Sequence, residues 1–483
     1  MNRRLVLSLP LLAVLAACTV TRVEVAPTVA APEQFRYAAA AGAQQDIARW
    51  WRHWHNPELN ALIEQGLGGN FTLAAARERM RSAQAFAAAA RADVLPQAGI
   101  SANIGRQRVE ADNPLAGLPQ LAAMGGQMPS EMKMTDSHRL AALSASWEID
   151  LFGKKTSDAD AVAAQALSAQ EMFHAAQTAV AAQIADTYFL IATLDAQSKV
   201  LQESITAVQE LERYAQGRFR AGQATQNDVR NSSARLTQLR AKVEPLRAQR
   251  AQAEQQLAVL LGVSPQTFRL PENPQALATL PAPPVGIAPS ELIERRPDVR
   301  ARAAAVQTAA AKLASARADL LPRFYLNFML QDGRIGIGSA PDLNATASLV
   351  SLGVQLPIFT AGRIRANIRA QDASLQAALA DYDHTLLTAL QETDSAYALR
   401  TALDKHLTTL GAAQRVLQQR AADSRRFYEN GYHAYQDVLQ AQLDALQYRD
   451  DVIVARQQTA RATIALYRAL GGGWLPETED TQQ

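Results

Sequence analysis

The spacing of apolar residues along the chain changes period several times, and it does so twice over in the same order. Leu59, Leu62, Ile63 and Leu67 recur three or four positions apart and lead into an alanine-rich run, which predicts a helix over 58–92. After Pro96 the period falls to two. Ile100, Ala102 and Ile104 alternate with Ser101, Asn103 and Gln107, and further on Leu143, Ala145, Trp147 and Ile149 alternate with Ser144, Ser146 and Glu148. Strict alternation is the signature of a strand with one apolar face. From Lys154 to about Gln216 there is neither proline nor glycine, and Val180, Ile184, Tyr188, Ile191 and Leu194 return to helical spacing. The implied helix of about 63 residues would be roughly 95 Å long, beyond globular norms and suited to coiled-coil packing. Gly222 stands where a left-handed residue would end it. A further helix is expected over 226–261.

The second half repeats this plan. Ala90-Arg91-Ala92-Asp93-Val94-Leu95-Pro96 returns as Ala316-Arg317-Ala318-Asp319-Leu320-Leu321-Pro322, at an offset of 226. Gly153 with Gly362, Tyr188 with Tyr397, Gly222 with Gly431, Asp228 with Asp437 and Gly262 with Gly471 all share an offset of 209. A constant offset over more than a hundred residues means no net insertion, as packed helices require; the length change falls between Pro96 and Gly153. This is a duplicated unit. Its second copy predicts helices over 290–318, 363–425 and 435–470, and a proline-rich linker, 263–289, joins the copies.

The alternation in the second copy is cleaner. Phe324, Leu326, Phe328 and Leu330 oppose Tyr325, Asn327 and Gln331, and Val350, Leu352, Val354 and Leu356 oppose Ser351, Gly353 and Gln355. Such segments of about ten residues fit membrane-barrel strands, although an ordinary sandwich edge gives the same pattern. The connections, 109–138 and 332–344, hold Gly, Pro, Asn and Asp, as turns do. Lipid leaves no open strand edge unpaired, and about eight strands are the practical minimum for closure. Four strands cannot close alone, so the chain would supply a share of an oligomeric barrel.

The N-terminus changes the picture of location. Arg3 and Arg4 precede an apolar stretch, Leu5 to Leu15, of signal-peptide length and too short to span a bilayer. The single cysteine, Cys18, follows Leu15-Ala16-Ala17 and resembles the lipid-acceptor cysteine of a bacterial lipobox. Thr19 is not the aspartate that often retains such lipoproteins in the inner membrane. With a net charge of +2 and no dense basic run, nucleic acid is not a suggested partner. His53 and His55, two apart, suit an aromatic anchor with Trp50, Trp51 and Trp54 better than a metal. Gly333 to Gly338 is glycine-rich but joins strands, not the strand-to-helix setting of a phosphate loop. No nucleophile elbow or zinc-hydrolase pattern is present, which disfavours an enzyme.

Several stretches resemble the TolC/OprM outer membrane factor family, in particular its lipoprotein (NodT-type) branch. They are Trp54-His55-Asn56-Pro57-Glu58-Leu59, Asn70-Phe71-Thr72-Leu73, Leu280-Pro281-Ala282-Pro283-Pro284 and Arg295-Arg296-Pro297-Asp298. The resemblance covers about residues 45 to 474. It implies a mostly α chain with a membrane β-barrel: a homotrimer whose duplicated repeats build a 12-strand β-barrel in the outer membrane and a 12-helix α-barrel across the periplasm. It further implies a passive exit duct with a periplasmic adaptor (a membrane fusion protein) and an inner-membrane pump, of the proton-driven drug-exporting RND type, as partners. No cofactor is expected beyond the lipid, palmitate included, on Cys18. A type I protein-secretion duct would share the fold, and a lipid-tethered coiled-coil scaffold without a pore remains the alternative from another class. The expected divisions are a signal peptide 1–17, a lipidated segment 18–57, repeats 58–262 and 290–471 about the linker 263–289, and a tail 472–483. The family's tunnel closes near the helix turns. Matching positions make Asp437 and Gln440 one candidate gate, with Asp228, Tyr428 and His433 as a candidate closing network. Asp228 and Asp437 also lie in first helical turns, where carboxylates simply complement the dipole.

Overall fold

The computed structural model describes residues 29–30, 32–37, 47–112, 131–273, 275–337 and 341–474. Cys18 and the signal stretch lie outside these. The described elements are α1 (Pro57–Gly69), α2 (Phe71–Ala92), β1 (Gln97–Asp112), β2 (Glu131–Ile149), α3 (Lys154–Arg220), α4 (Gln226–Ala241), α5 (Val243–Leu261), α6 (Glu291–Arg295), α7 (Pro297–Ala318), β3 (Arg323–Ile337), β4 (Leu343–Gln355), α8 (Arg363–Glu429) and α9 (Tyr435–Ala469). Both long helices contain 67 residues, a little more than the pattern predicts, and none of the described helices is long and apolar enough to cross a membrane.

The chain forms two compact units that cut across the duplicated copies. One comprises Ala83–Ala166 and Val306–Ala378 and holds all four strands. They make an antiparallel sheet in the order β1-β2-β3-β4, so β2 of the first copy pairs directly with β3 of the second. The register aligns every apolar series on one face: Leu143 pairs with Ile100 on one side and Leu330 on the other, and Leu326 with Trp147 and Leu352. The opposite face carries Ser101, Asn103, Ser144, Asn327, Gln331 and Ser351. Strands extend further than expected into 109–138 and 332–344, because cross-strand hydrogen bonds continue where the side chains have become charged. The outer edges of β1 and β4 have no strand partner among the described residues.

The other unit comprises Pro27–Ser82, Leu167–Ala305 and Leu379–Gln483. Its core is the helical stripe Ile184, Ala185, Tyr188, Ile191 and Leu194 of α3 with Ala460, Ile464 and Tyr467 of α9, all buried. Trp50, Trp51 and Trp54 are buried beside them, Trp50 stacking on Tyr467 at 5.7 Å and Trp54 packing at a tilt against Phe189 at 5.5 Å. His53 Nδ1 lies 2.9 Å from the Tyr467 hydroxyl, so these residues do form an aromatic anchor. Asn56 caps α1 by accepting from the Leu59 amide, while its own amide donates to the Tyr188 hydroxyl, which donates to Glu58 Oε2 at 2.7 Å. Pro57 fills the first helical position, where its missing N–H costs nothing.

Three helices expected to be continuous are broken. Asn70 ends α1 and caps α2, accepting from Thr72 and Leu73 amides while its side chain donates to the Leu260 carbonyl. Pro245 cannot donate to Ala241, and the turn at Lys242 separates α4 from α5. Pro297 likewise restarts the chain after Arg296, whose guanidinium is buried between Asp298 and Glu392, 2.7 Å from each, and donates to the Ala469 carbonyl. The duplication survives as geometry. Gly262, at φ +73°, would drive a Cβ into the Gly69 carbonyl, and Gly471, at φ +81°, would drive one into the Arg295 carbonyl. Each glycine marks the same helix crossing in its copy.

Candidate functional site

Two hairpin turns carry the candidate gate residues, one between α3 and α4 and one between α8 and α9. Both are built by the same local chemistry. At the first, Gly222 adopts φ +70°, its amide donates to the Phe219 carbonyl and the Gln223 amide to Arg218. At the second, Gly431 adopts φ +78°, its amide donates to Tyr428 and the Tyr432 amide to Phe427. This is a glycine-ended helix stop in which the last carbonyls find donors before the chain reverses.

The helices that follow begin differently. Thr225 Oγ1 accepts from the Asp228 amide while Asp228 Oδ2 accepts from the Thr225 amide and hydroxyl at 2.8 Å, a complete capping box. The Thr225 amide, then its hydroxyl, hold the Asp228 carboxyl below the usual carboxylate range. In the second turn the position of Thr225 is taken by Ala434. Only half the box remains: the Ala434 amide donates to Asp437 Oδ2 at 3.2 Å.

Around the second turn, α8 and α9 enclose an open groove of about 970 Å³. Asp437, Gln440 and His433 line it together with Arg415, Val416, Arg420, Asp423 and Phe427. His433 leans on the Phe427 ring at 5.0 Å. Gln440 Oε1 accepts from Arg235 of α4 at 3.2 Å, and its amide donates to Asp444 Oδ1 at 2.7 Å. A carboxylate at 440 could accept from Arg235 but could not donate to Asp444, so the amide suits this place chemically. The groove thus brings three of the expected residues together. Tyr428 and Asp228 are not joined within one chain: Asp228 is turned to Thr225, and the Tyr428 ring lies 5.1 Å from that of Tyr435.

Residues 62–263 and 288–472 match the sequence profile of the family described as "Outer membrane efflux protein". The chain belongs to that family. It is 30% identical over 474 residues to the pyoverdine export outer membrane protein OpmQ of Pseudomonas aeruginosa, covering 96% of both chains. With outer membrane protein OprJ of the same species it shares 28% identity, covering 96% of this chain and 95% of OprJ. Its fold matches the outer-membrane channel OprN with a TM-score of 0.79 at 27% identity, over 95% of this chain and all of that one. The protein is therefore an outer-membrane efflux channel, of the family its sequence motifs indicate, which is a transport family and not an enzyme family.

Within this channel protein, sequence reasoning missed Tyr435. Its hydroxyl donates to Glu210 Oε2 of α3 at 3.0 Å, and its ring packs edge-on against Tyr214 at 5.3 Å. Burial, then the Glu210 contact, raises its phenol pKa. Tyr214 in turn lies under the Arg218 guanidinium at 5.9 Å. The signal was available: the position of Tyr435 holds Gln226 in the first copy, so an aromatic appears where the duplication alone gives none.

Proposed function

We propose that three copies of this chain close one outer-membrane barrel and one helical tunnel, forming the passive exit duct of a tripartite efflux system. The four-stranded sheet carries the argument. It has an exposed apolar face, with Ile100 at 83% and Val350 at 70% relative exposure, and two open edges. In lipid each open edge leaves a row of unpaired amides and carbonyls, and closure with other copies satisfies them. Four strands from each of three copies make twelve, within the range of known membrane barrels. Cys18 would carry the lipid anchor. A periplasmic adaptor and a proton-driven inner-membrane pump would supply direction and energy, since a duct with no energy source only conducts. Small organic molecules are the inferred cargo, as pyoverdine is for OpmQ.

The groove of the second turn is the inferred gate, with three Asp437 carboxylates facing a narrow axis, where like charges would repel one another and attract cations. Gln440 leaves the neighbouring ring neutral. His433 is the third member of the inferred closing network, with Asp228 and Tyr428. Native mass spectrometry of protein extracted in mild detergent tests the assembly and anchor together. A trimer whose subunits begin at Cys18 and carry added lipid mass is the expected result. An unlipidated monomer that stays soluble without detergent would overturn it.

A further inference from the structure

The apolar face of the sheet gives way within two rows to arginines, with Asp332 in the row between. Along this face the register stacks rows of partners: Ile149 with Phe324, Trp147 with Leu326 and Leu352, Ala145 with Phe328 and Val350, and Leu143 with Ile100 and Leu330. Two rows further on, Ile104, Arg139, Arg334 and Asn344 lie abreast. Arg106 and then Arg108 follow on the same face of β1, opposite Ser137 and Thr135. Ten residues separate Ile149 from Arg139. At ~3.3 Å per residue and a strand tilt of ~40° this is a height of about 25 Å, the height of a barrel's lipid-facing band.

All four strands connect to helices at the apolar end: β1 follows α2, β2 precedes α3, β3 follows α7 and β4 precedes α8. If those helices stand in the periplasm, as the proposed trimer requires, the arginine rows lie at the outer leaflet, facing lipid and not the lumen.

The charges there are not self-compensated. Arg139 and Arg334 are direct cross-strand partners, and like charges so placed repel. Arg334 is answered by Asp342, which accepts from its Nε at 2.6 Å. Arg106, Arg108 and Arg139 are exposed and have no ion-pair partner among the described residues. The acids of this face occupy the neighbouring rows and form no ion pair with Arg106, Arg108 or Arg139. Asp332, one row nearer the apolar band, accepts from the Thr346 hydroxyl at 2.6 Å, while Glu110, Asp112 and Glu131 occupy the rows furthest from the band.

We propose that Arg106, Arg108 and Arg139, with Arg334 beside them, form a collar that binds the phosphate groups of anionic lipids in the outer leaflet. A guanidinium presents a planar fork of donors that matches phosphate oxygens two at a time, and a phosphate between Arg139 and its neighbours removes their mutual repulsion. The lipid chains then lie along Ile104, Ile100 and the apolar rows beneath, so head group and tails each meet a matching surface. The occupant is a phosphorylated lipid, held by both parts.

Native mass spectrometry on delipidated full-length protein in neutral detergent tests this, with three probes: a bisphosphorylated lipid A, the same lipid dephosphorylated, and inorganic phosphate. The wild type is expected to retain the phosphorylated lipid selectively. At about 5-fold per basic residue, R106Q/R108Q/R139Q is expected to weaken it on the order of 100-fold, and Arg139→Lys to lose less than Arg139→Gln. Equal retention of the dephosphorylated lipid, unchanged binding by the triple variant, or phosphate alone binding as tightly as the lipid would each overturn the collar. The oligomer mass in the same spectra separates this from failure of the barrel reading. A trimer that ignores phosphorylated lipid sinks only the collar, whereas a monomer sinks the assembly on which the collar rests.

Discussion

The two hairpin turns share a backbone and differ in what holds it. Turn one, ending at Gly222, closes on itself: Thr225 and Asp228 satisfy each other's amides, and none of that depends on a distant helix. Turn two, ending at Gly431, keeps the glycine stop but has Ala434 in place of the capping threonine. Its stability is borrowed from α3 through Tyr435, Glu210 and Tyr214. A turn stabilised by its own capping box stays formed wherever it moves. One stabilised by a neighbouring helix is released when that contact breaks. The second turn also presents Asp437 and His433 to an open groove. The duplication has therefore given one turn held by its own cap and one held by a neighbouring helix.

The largest expected effect comes from cutting the borrowed contact. Tyr435→Ala removes a half-buried ring and its hydroxyl bond, and should cost the local structure of turn two about 2 kcal/mol. Hydrogen exchange of amides 427–437 should then speed up roughly 30-fold, with turn one unaffected. Tyr435→Phe keeps the ring and should show only part of the change. Equal acceleration in both turns would mean that the two are not independently held.

Exchanging the caps comes next. Thr225→Ala should cost turn one about 1 kcal/mol, and Ala434→Thr should return a comparable amount to turn two by completing its box with Asp437. If the comparison is right, Ala434→Thr also reduces the effect of Tyr435→Ala, because turn two would no longer depend on α3. A double-mutant cycle read by hydrogen exchange measures that coupling directly, and strict additivity would count against it.

How far this asymmetry was legible depends on which contacts are local. The glycine stops, the long helices and the facing of each strand follow from spacing alone, because Gly222, Gly431 and the alternating rows act within a few residues of themselves. The break at Asn70 is not legible in the sequence, because it is fixed by a distant carbonyl, that of Leu260. Pro245 and Pro297 are different. Both are helix breakers visible in the sequence, and each overrides the apolar periodicity that runs past it. At the turns, matching positions singled out Asp228, Asp437, Gln440, Tyr428 and His433. What each touches could not be read, since Gln440 meets Arg235 and Tyr435 meets Glu210 across more than two hundred positions.

Acid should separate the turns by a smaller margin. The Thr225 contacts depress the Asp228 carboxyl, so the stabilisation they give is fully present above the ordinary unfolded value near ~3.9 and is lost as pH falls through the lower folded value. Exchange protection of turn one, corrected for the intrinsic rate, should hold down to about pH 4 and decline below it. In Asp228→Asn the decline should vanish, together with part of the protection at neutral pH. A decline of the same size in the Asn variant would trace it to another carboxyl.

The smallest effect on stability belongs to Gln440, and its smallness is what makes it informative. Gln440→Glu keeps the acceptor facing Arg235 and adds charge to that bond, but it loses the donor to Asp444 and sets two carboxylates four residues apart on one helix. Like charges at that spacing cost about 0.2–0.5 kcal/mol, close to what a charged Arg235 contact returns, so the fold should barely register the change. Ion conduction should register it if the groove of turn two lines the duct. Gln440→Glu would add a second acidic ring beside Asp437 and raise cation selectivity in planar-bilayer recordings, whereas Asp437→Ala would lower selectivity and relieve block by divalent cations. Opposite shifts from the two substitutions would place the gate at the borrowed turn. Two silent substitutions would leave Asp437 as a charge that complements the start of α9 and move the search for the gate elsewhere in the tunnel.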